Sequence, residues 1–143
     1  MTSNKNLKIE ETFNLAVKNH HDGKTDIAQE HYNQVLKIDP NYAPAHNNLG
    51  VLLQNSGDVQ KAKSCFEKAI EINPNYAPAH NNLGSIFQKL GDLQKAKEYF
   101  EKAIEITPNY VDAYNNLGII FKELGKNQKA KECYEKAIKI DPN

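Results

Sequence analysis

The chain has 143 residues, 39% hydrophobic and 25% charged, which is the balance of one soluble globular domain rather than a disordered segment. Its 18 cations, all lysine, are matched by 18 carboxylates, so no charge excess points to nucleic acid or an anionic membrane. Two cysteines, Cys65 and Cys133, are too few for a disulfide-stapled secreted domain, and neither a signal segment nor a run of about 18 apolar residues is present, so a cytoplasmic location is expected.

Along the chain one pattern returns every 34 residues. The first unit, residues 9–42, carries it in degenerate form: Leu15, Ala16, Gly23, Ala28, Tyr32 and Pro40 are in register with later units. Asn19 and Val35 there replace a large apolar residue and an alanine. The second unit, 43–76, is entered by NYAPAHNNLG, which starts at Asn41, and contains GDVQKAKSCFEKAIEINP from Gly57. The third, 77–110, and the fourth, 111–143, repeat both stretches with few changes. The whole chain, 1–143, therefore reads as a single domain of four copies.

Each unit predicts two helices. In the second, His46, Leu49, Gly50 and Leu53 form one apolar stripe, and Ala62, Phe66, Ala69 and Ile70 form another, both at helical spacing. Gly57-Asp58 between them suits a helix end followed by a helix start. Asp39-Pro40 and Asn73-Pro74 close the second helices, while Pro44 and Pro78 sit in the first turn of the next. Gly50, Gly84 and Gly118 lie inside helices at a cost of about 1 kcal/mol each relative to alanine. Small residues on the two helices, with Ala62, Ala96 and Ala130 on the second, are expected to let the backbones approach. Phe66, Phe100 and Tyr134 are expected to fill the space between units. One such hairpin cannot bury its own apolar face, so neighbours must stack.

The run of leucine and glycine, an apolar residue three on, then alanine, aromatic, alanine and proline resembles the tetratricopeptide repeat over essentially the whole chain. The resemblance implies an all-α fold, an α-α superhelix of four helix-turn-helix repeats whose first helices line a concave groove. It also implies a scaffold that binds a protein or peptide, with no catalytic residues and no cofactor. In that frame the groove carries Asn14, Asn48, Asn82 and Asn116 at an unbroken 34-residue interval. A second row is Asn47, Asn81 and Asn115. Val51, Ser85 and Ile119, with Gln54, Gln88 and Lys122, complete the candidate surface.

An asparagine amide donates and accepts, so it can pair with both polar groups of a peptide unit. First helices about 8–10 Å apart would meet roughly every third residue of an extended chain rising about 3.3 Å per residue. Such a ladder grips backbone with little regard for side chains and resembles that of O-GlcNAc transferase repeat domains. The alternative is structural: the asparagines cap or bridge neighbouring helices. The lysine and arginine clamp of chaperone-tail readers is missing, since its positions carry Phe13, Asn47, Asn81 and Ser85.

Other residues have plainer readings. His46 and His80 replace Tyr114 in the repeat, which indicates packing rather than metal ligation. His20-His21 reads as a solvated helix end. Lys61, Lys63 and Lys68 with their copies, interleaved with Glu67, Glu101 and Glu135, read as a solvated outer face that does not bind nucleic acid. The last helix, with no polar capping helix after it, is expected to expose part of Ala130, Cys133, Tyr134, Ala137 and Ile138. Self-association there is possible. The functional readings are a groove that binds an extended peptide or helix, the non-catalytic substrate-binding region of a larger glycosyltransferase-like enzyme, or a self-assembling solenoid.

Overall fold

The computed structural model describes residues 2–143. Among them every regular element is a helix: α1 Thr2–His21, α2 Thr25–Ile38, α3 Ala43–Asn55, α4 Val59–Ile72, α5 Ala77–Lys89, α6 Leu93–Ile106, α7 Val111–Glu123 and α8 Asn127–Ile140. Consecutive helices pair as four antiparallel hairpins, α1–α2, α3–α4, α5–α6 and α7–α8. The chain divides into two compact units, Met1–Pro74 and Asn75–Asn143, of two hairpins each. In the first, α2 packs on α3 and α1 touches α3; in the second, α6 packs on α7 and α5 touches α7. This is the all-helical repeat fold expected from the period. The exception is the start of α1, which begins seven residues before the predicted unit and whose first turns are exposed.

The turns show why the pattern breaks where it does. Gly57 adopts φ +90° and Gly91 φ +81°, a left-handed conformation that a side chain would oppose. Around Gly57, its N–H donates to the Gln54 carbonyl at 3.1 Å and the Asp58 N–H to the Leu53 carbonyl at 2.9 Å, which satisfies the last carbonyls of α3. The Asp58 carboxylate then caps α4 by accepting from the Lys61 N–H at 3.2 Å, and Asp92 does the same for Lys95 at 3.1 Å. Repeats one and four have Lys24 and Lys126 at this position and no side-chain cap.

The core corrects two expectations. The helical glycines face an aromatic ring of their own hairpin, not the alanines: a Cβ at Gly50 would lie 2.7 Å from the Phe66 ring, at Gly84 2.7 Å from Phe100, and at Gly118 2.6 Å from Tyr134. The rings at 66, 100 and 134 thus fill the hairpins themselves, and glycine is what makes room. Nor does α8 expose all five residues expected. Ala130, Cys133 and Ala137 are buried because they face inward within the α7–α8 hairpin, Tyr134 is half-buried, and Ile138 is exposed. In repeat one the substituted Val35 packs completely into a cluster with Ile9, Ala16, Ala28, Tyr32, Ala45 and Leu52. Asn19 turns back, its amide donating to the Leu15 carbonyl at 2.8 Å.

Candidate interaction surface

The first helix of each hairpin supplies the candidate residues. α1 carries Asn14; α3 carries Asn47, Asn48, Val51 and Gln54; α5 carries Asn81, Asn82, Ser85 and Gln88; α7 carries Asn115, Asn116, Ile119 and Lys122. Asn14 is exposed, whereas Asn48, Asn82 and Asn116 are half-buried. Ile119 and Lys122 are exposed, and Val51, Gln54, Ser85 and Gln88 are half-buried.

Within each unit the amides are tied to one another. In the first, the Asn47 amide donates to the Asn48 carbonyl oxygen at 3.1 Å, and the Asn48 amide donates to the Tyr32 hydroxyl at 3.3 Å. In the second, the Asn116 amide of α7 reaches the Asn81 carbonyl oxygen of α5 at 3.1 Å. Asn47 and Asn81 are buried, at 4% and 7% exposure, while Asn115 is open. The second row therefore splits: its first two members hold the first row, and its last faces solvent. Each primary amide has two N–H donors and two acceptor lone pairs, so Asn48 and Asn116 keep capacity beyond these bonds. Ser85 donates its hydroxyl to the backbone carbonyl of Asn81 at 3.3 Å, and the Gln88 amide donates to the Glu123 carboxylate at 3.1 Å.

Tyr32, which is outside the expected set, joins this network together with His20. Tyr32, fully buried, accepts from Asn48 and lies 3.3 Å from Nδ1 of His20. Its hydroxyl stands where repeats two and three have Phe66 and Phe100. That extra polar atom in a buried position was the available signal, because a buried hydroxyl needs a partner. His20 is accordingly not the solvated helix end expected for it. Its ring stands edge-on to Tyr32 at 6.1 Å, and burial pushes its pKa below the ordinary 6.5. His21 beside it is exposed.

The remaining candidates pack. His46 bonds the Pro40 carbonyl at 2.8 Å, and His80 is buried with its ring 6.0 Å from Tyr99. Cys65 and Cys133 are free thiols, both raised in pKa first by burial. A shallow hollow of about 230 Å³ beside α6 is lined by His80, Lys95, Glu98, Tyr99 and Lys102, but Lys95 pairs with Asp92 and Lys102 with Glu105. The outer lysines form i,i+4 pairs such as Lys97–Glu101 at 3.8 Å, each worth about 0.5 kcal/mol at most. Among the described residues no group of three His, Cys, Asp or Glu side chains could hold a metal, and no helix is long and apolar enough to cross a membrane.

Against known structures, the chain is similar to MamA, whose crystal structure it matches at 27% identity and a TM-score of 0.79, covering 94% of this chain and 78% of that one. It is also similar to PilF of Pseudomonas aeruginosa, at 24% identity and a TM-score of 0.90 over 98% of this chain, and it spans 64% of that protein. MamA from Desulfovibrio magneticus RS-1 matches at 22% identity, with a TM-score of 0.76, over 94% of this chain and 76% of that one. At such identities the last two show the fold alone. No curated protein matches the sequence significantly. The tetratricopeptide repeat profile matches residues 41–109 and 75–143, and a related repeat profile matches 21–57. Repeats of this kind generally mediate contacts between proteins. With nearly three quarters of its length matched, and with helix pairs recurring at the interval that the sequence sets, this chain belongs to the tetratricopeptide repeat family.

Proposed function

We propose that the chain is a protein-interaction module that binds an extended peptide across its first helices through the amides of Asn48, Asn82 and Asn116, with Asn14 at the start of the row. The observation that carries this reading is the partly exposed position of those three amides, each one repeat from the next. For Asn48 and Asn116 the intramolecular bonds set the amide plane and still leave donors and acceptors unspent. A fixed amide loses less freedom on binding than a mobile one, which favours affinity. Val51 and Ile119 beside the row add apolar contact, while Gln54, Gln88 and Lys122 border it with polar groups.

The test is the triple variant Asn48→Ala, Asn82→Ala, Asn116→Ala against peptides selected for binding to the native chain. Native helicity with binding reduced at least about tenfold, the size of one or two lost hydrogen bonds, supports the ladder. Loss of helicity would assign the row to the fold, and native helicity with unchanged affinity would end the reading.

A further inference from the structure

The two units hold their row amides by different means. In the second unit the ring buried on α6 is Phe100, and Asn116 of α7 donates to Asn81. In the first unit the matching ring is Tyr32 of α2, and its hydroxyl gives Asn48 of α3 a partner. Asn48 accepts from the Asn47 amide at 3.1 Å and donates to Tyr32 at 3.3 Å. Tyr32 in turn lies 3.3 Å from Nδ1 of His20. An imidazole therefore stands one hydroxyl away from a rung of the proposed row.

Counting protons gives this chain of groups a direction. A hydroxyl carries one O–H donor and accepts through its lone pairs. Tyr32 accepts from Asn48, so its O–H is left for His20, and Nδ1 of the neutral ring accepts it. Burial lowers the His20 pKa, which keeps the ring neutral at neutral pH. Protonation puts an N–H on Nδ1. Two donors then face the Tyr32 oxygen, and the O–H is left without an acceptor in a fully buried site, which is costly. The relief is for Asn48 to turn its carbonyl oxygen to that O–H. This takes the oxygen from Asn47 and turns the rung over.

The charges around the ring are otherwise arranged apart from it. On α1 and the turn, Lys18 and Lys24 are exposed and His21 pairs with Asp22 at 3.9 Å. On α2, Asp26, Glu30 and Lys37 are exposed, and the buried Nδ1 of His31 makes no hydrogen bond. On α3 the ionisable side chain is His46, which bonds the Pro40 carbonyl. We propose that Tyr32 and His20 are positioning residues for Asn48, and that protonation of His20 weakens peptide binding by turning that rung over. This rests on the amide ladder proposed above.

The experiment uses two variants that later repeats already carry, His20→Gln as in Gln54 and Tyr32→Phe as in Phe66. Nitrogen-15 spectra of the peptide-free chain are followed between about pH 7 and 5, beside the ring signals of His20. The Asn48 side-chain NH2 signals should move with the His20 midpoint, and those of Asn116 should not. A selected peptide with blocked ends and no ionisable side chain should bind the native chain about threefold to tenfold more weakly at the acid end, the size of one lost hydrogen bond. Both variants should bind it with no such pH dependence. Asn48 signals that stay still while His20 titrates would overturn the proposal and leave the ladder standing. So would a native affinity unchanged over this range, or the same pH dependence in Tyr32→Phe. Native-like binding by the triple alanine variant would instead end the ladder, and this proposal with it.

Discussion

Repeat one and repeat three solve the same packing problem with different residues. In repeat three a glycine, Gly84, lets the Phe100 ring sit against the first helix, and Asp92 caps the second. In repeat one the glycine position holds Ala16, the ring is Tyr32, the cap position is Lys24, and Val35 replaces an alanine, yet Ala16, Tyr32 and Val35 are all fully buried. The tyrosine adds a hydroxyl that repeat three does not have, and that hydroxyl recruits His20 and Asn48 into a polar network at the edge of the candidate surface. The lesson is that a repeat tolerates a changed core when volume is redistributed and each new polar atom finds a partner. The degenerate repeat also places a histidine, His20, where repeats two and three have Gln54 and Gln88.

The comparison can be broken most strongly at the ring. Phe100→Ala in repeat three should cost about 3–5 kcal/mol in urea unfolding, as for other fully buried phenylalanines. Tyr134→Ala, half-buried at the same repeat position, should cost clearly less; equal losses would mean that burial does not set the cost here. Next comes the glycine. Gly84→Ala forces a Cβ to 2.7 Å from the Phe100 ring, an overpacking cost of about 1–3 kcal/mol partly offset by the helix propensity of alanine. Ala16→Gly in repeat one should instead lose only about 1 kcal/mol of propensity. A stabilising Gly84→Ala would show that the ring can step aside. Third is the cap: Lys126→Asp, which gives repeat four the acid of repeats two and three, should stabilise α8 by about 1 kcal/mol in thermal unfolding.

The smallest effect is on pH. Burial lowers the pKa of His20 in the folded chain, so the unfolded chain binds more protons as the pH drops. Its contribution is fully present above about 6.5 and is lost as the pH falls through the lower folded value. His20→Gln, the residue of Gln54 and Gln88, should flatten stability between about pH 7 and 5. An unchanged slope would place the titration elsewhere.

The architecture was legible because its signals are local and repeated. A glycine with positive φ, a proline after each second helix and two apolar stripes define a hairpin without any distant contact. What stayed hidden depends on side chains meeting across helices. The sequence shows Asn81 and Asn116 on neighbouring repeats but not that one amide donates to the other. It shows Gly84 but not which atom occupies the missing Cβ's space. It places His20 at a helix end, where solvent is the ordinary expectation, and only the neighbouring Tyr32 makes that position half-buried. Ala130, Cys133 and Ala137 were misplaced for a related reason: the helix carries two apolar faces, and the hairpin claims one of them first.

The central claim concerns the side-chain amides of the first helices, and those amides can be watched one by one. In a nitrogen-15 spectrum of the native chain titrated with a selected peptide, the side-chain NH2 signals of Asn48, Asn82 and Asn116 should shift most, with smaller shifts near Val51 and Ile119. Shifts confined to α2, α4, α6 and α8, with those three amide signals unmoved at saturation, would contradict the account.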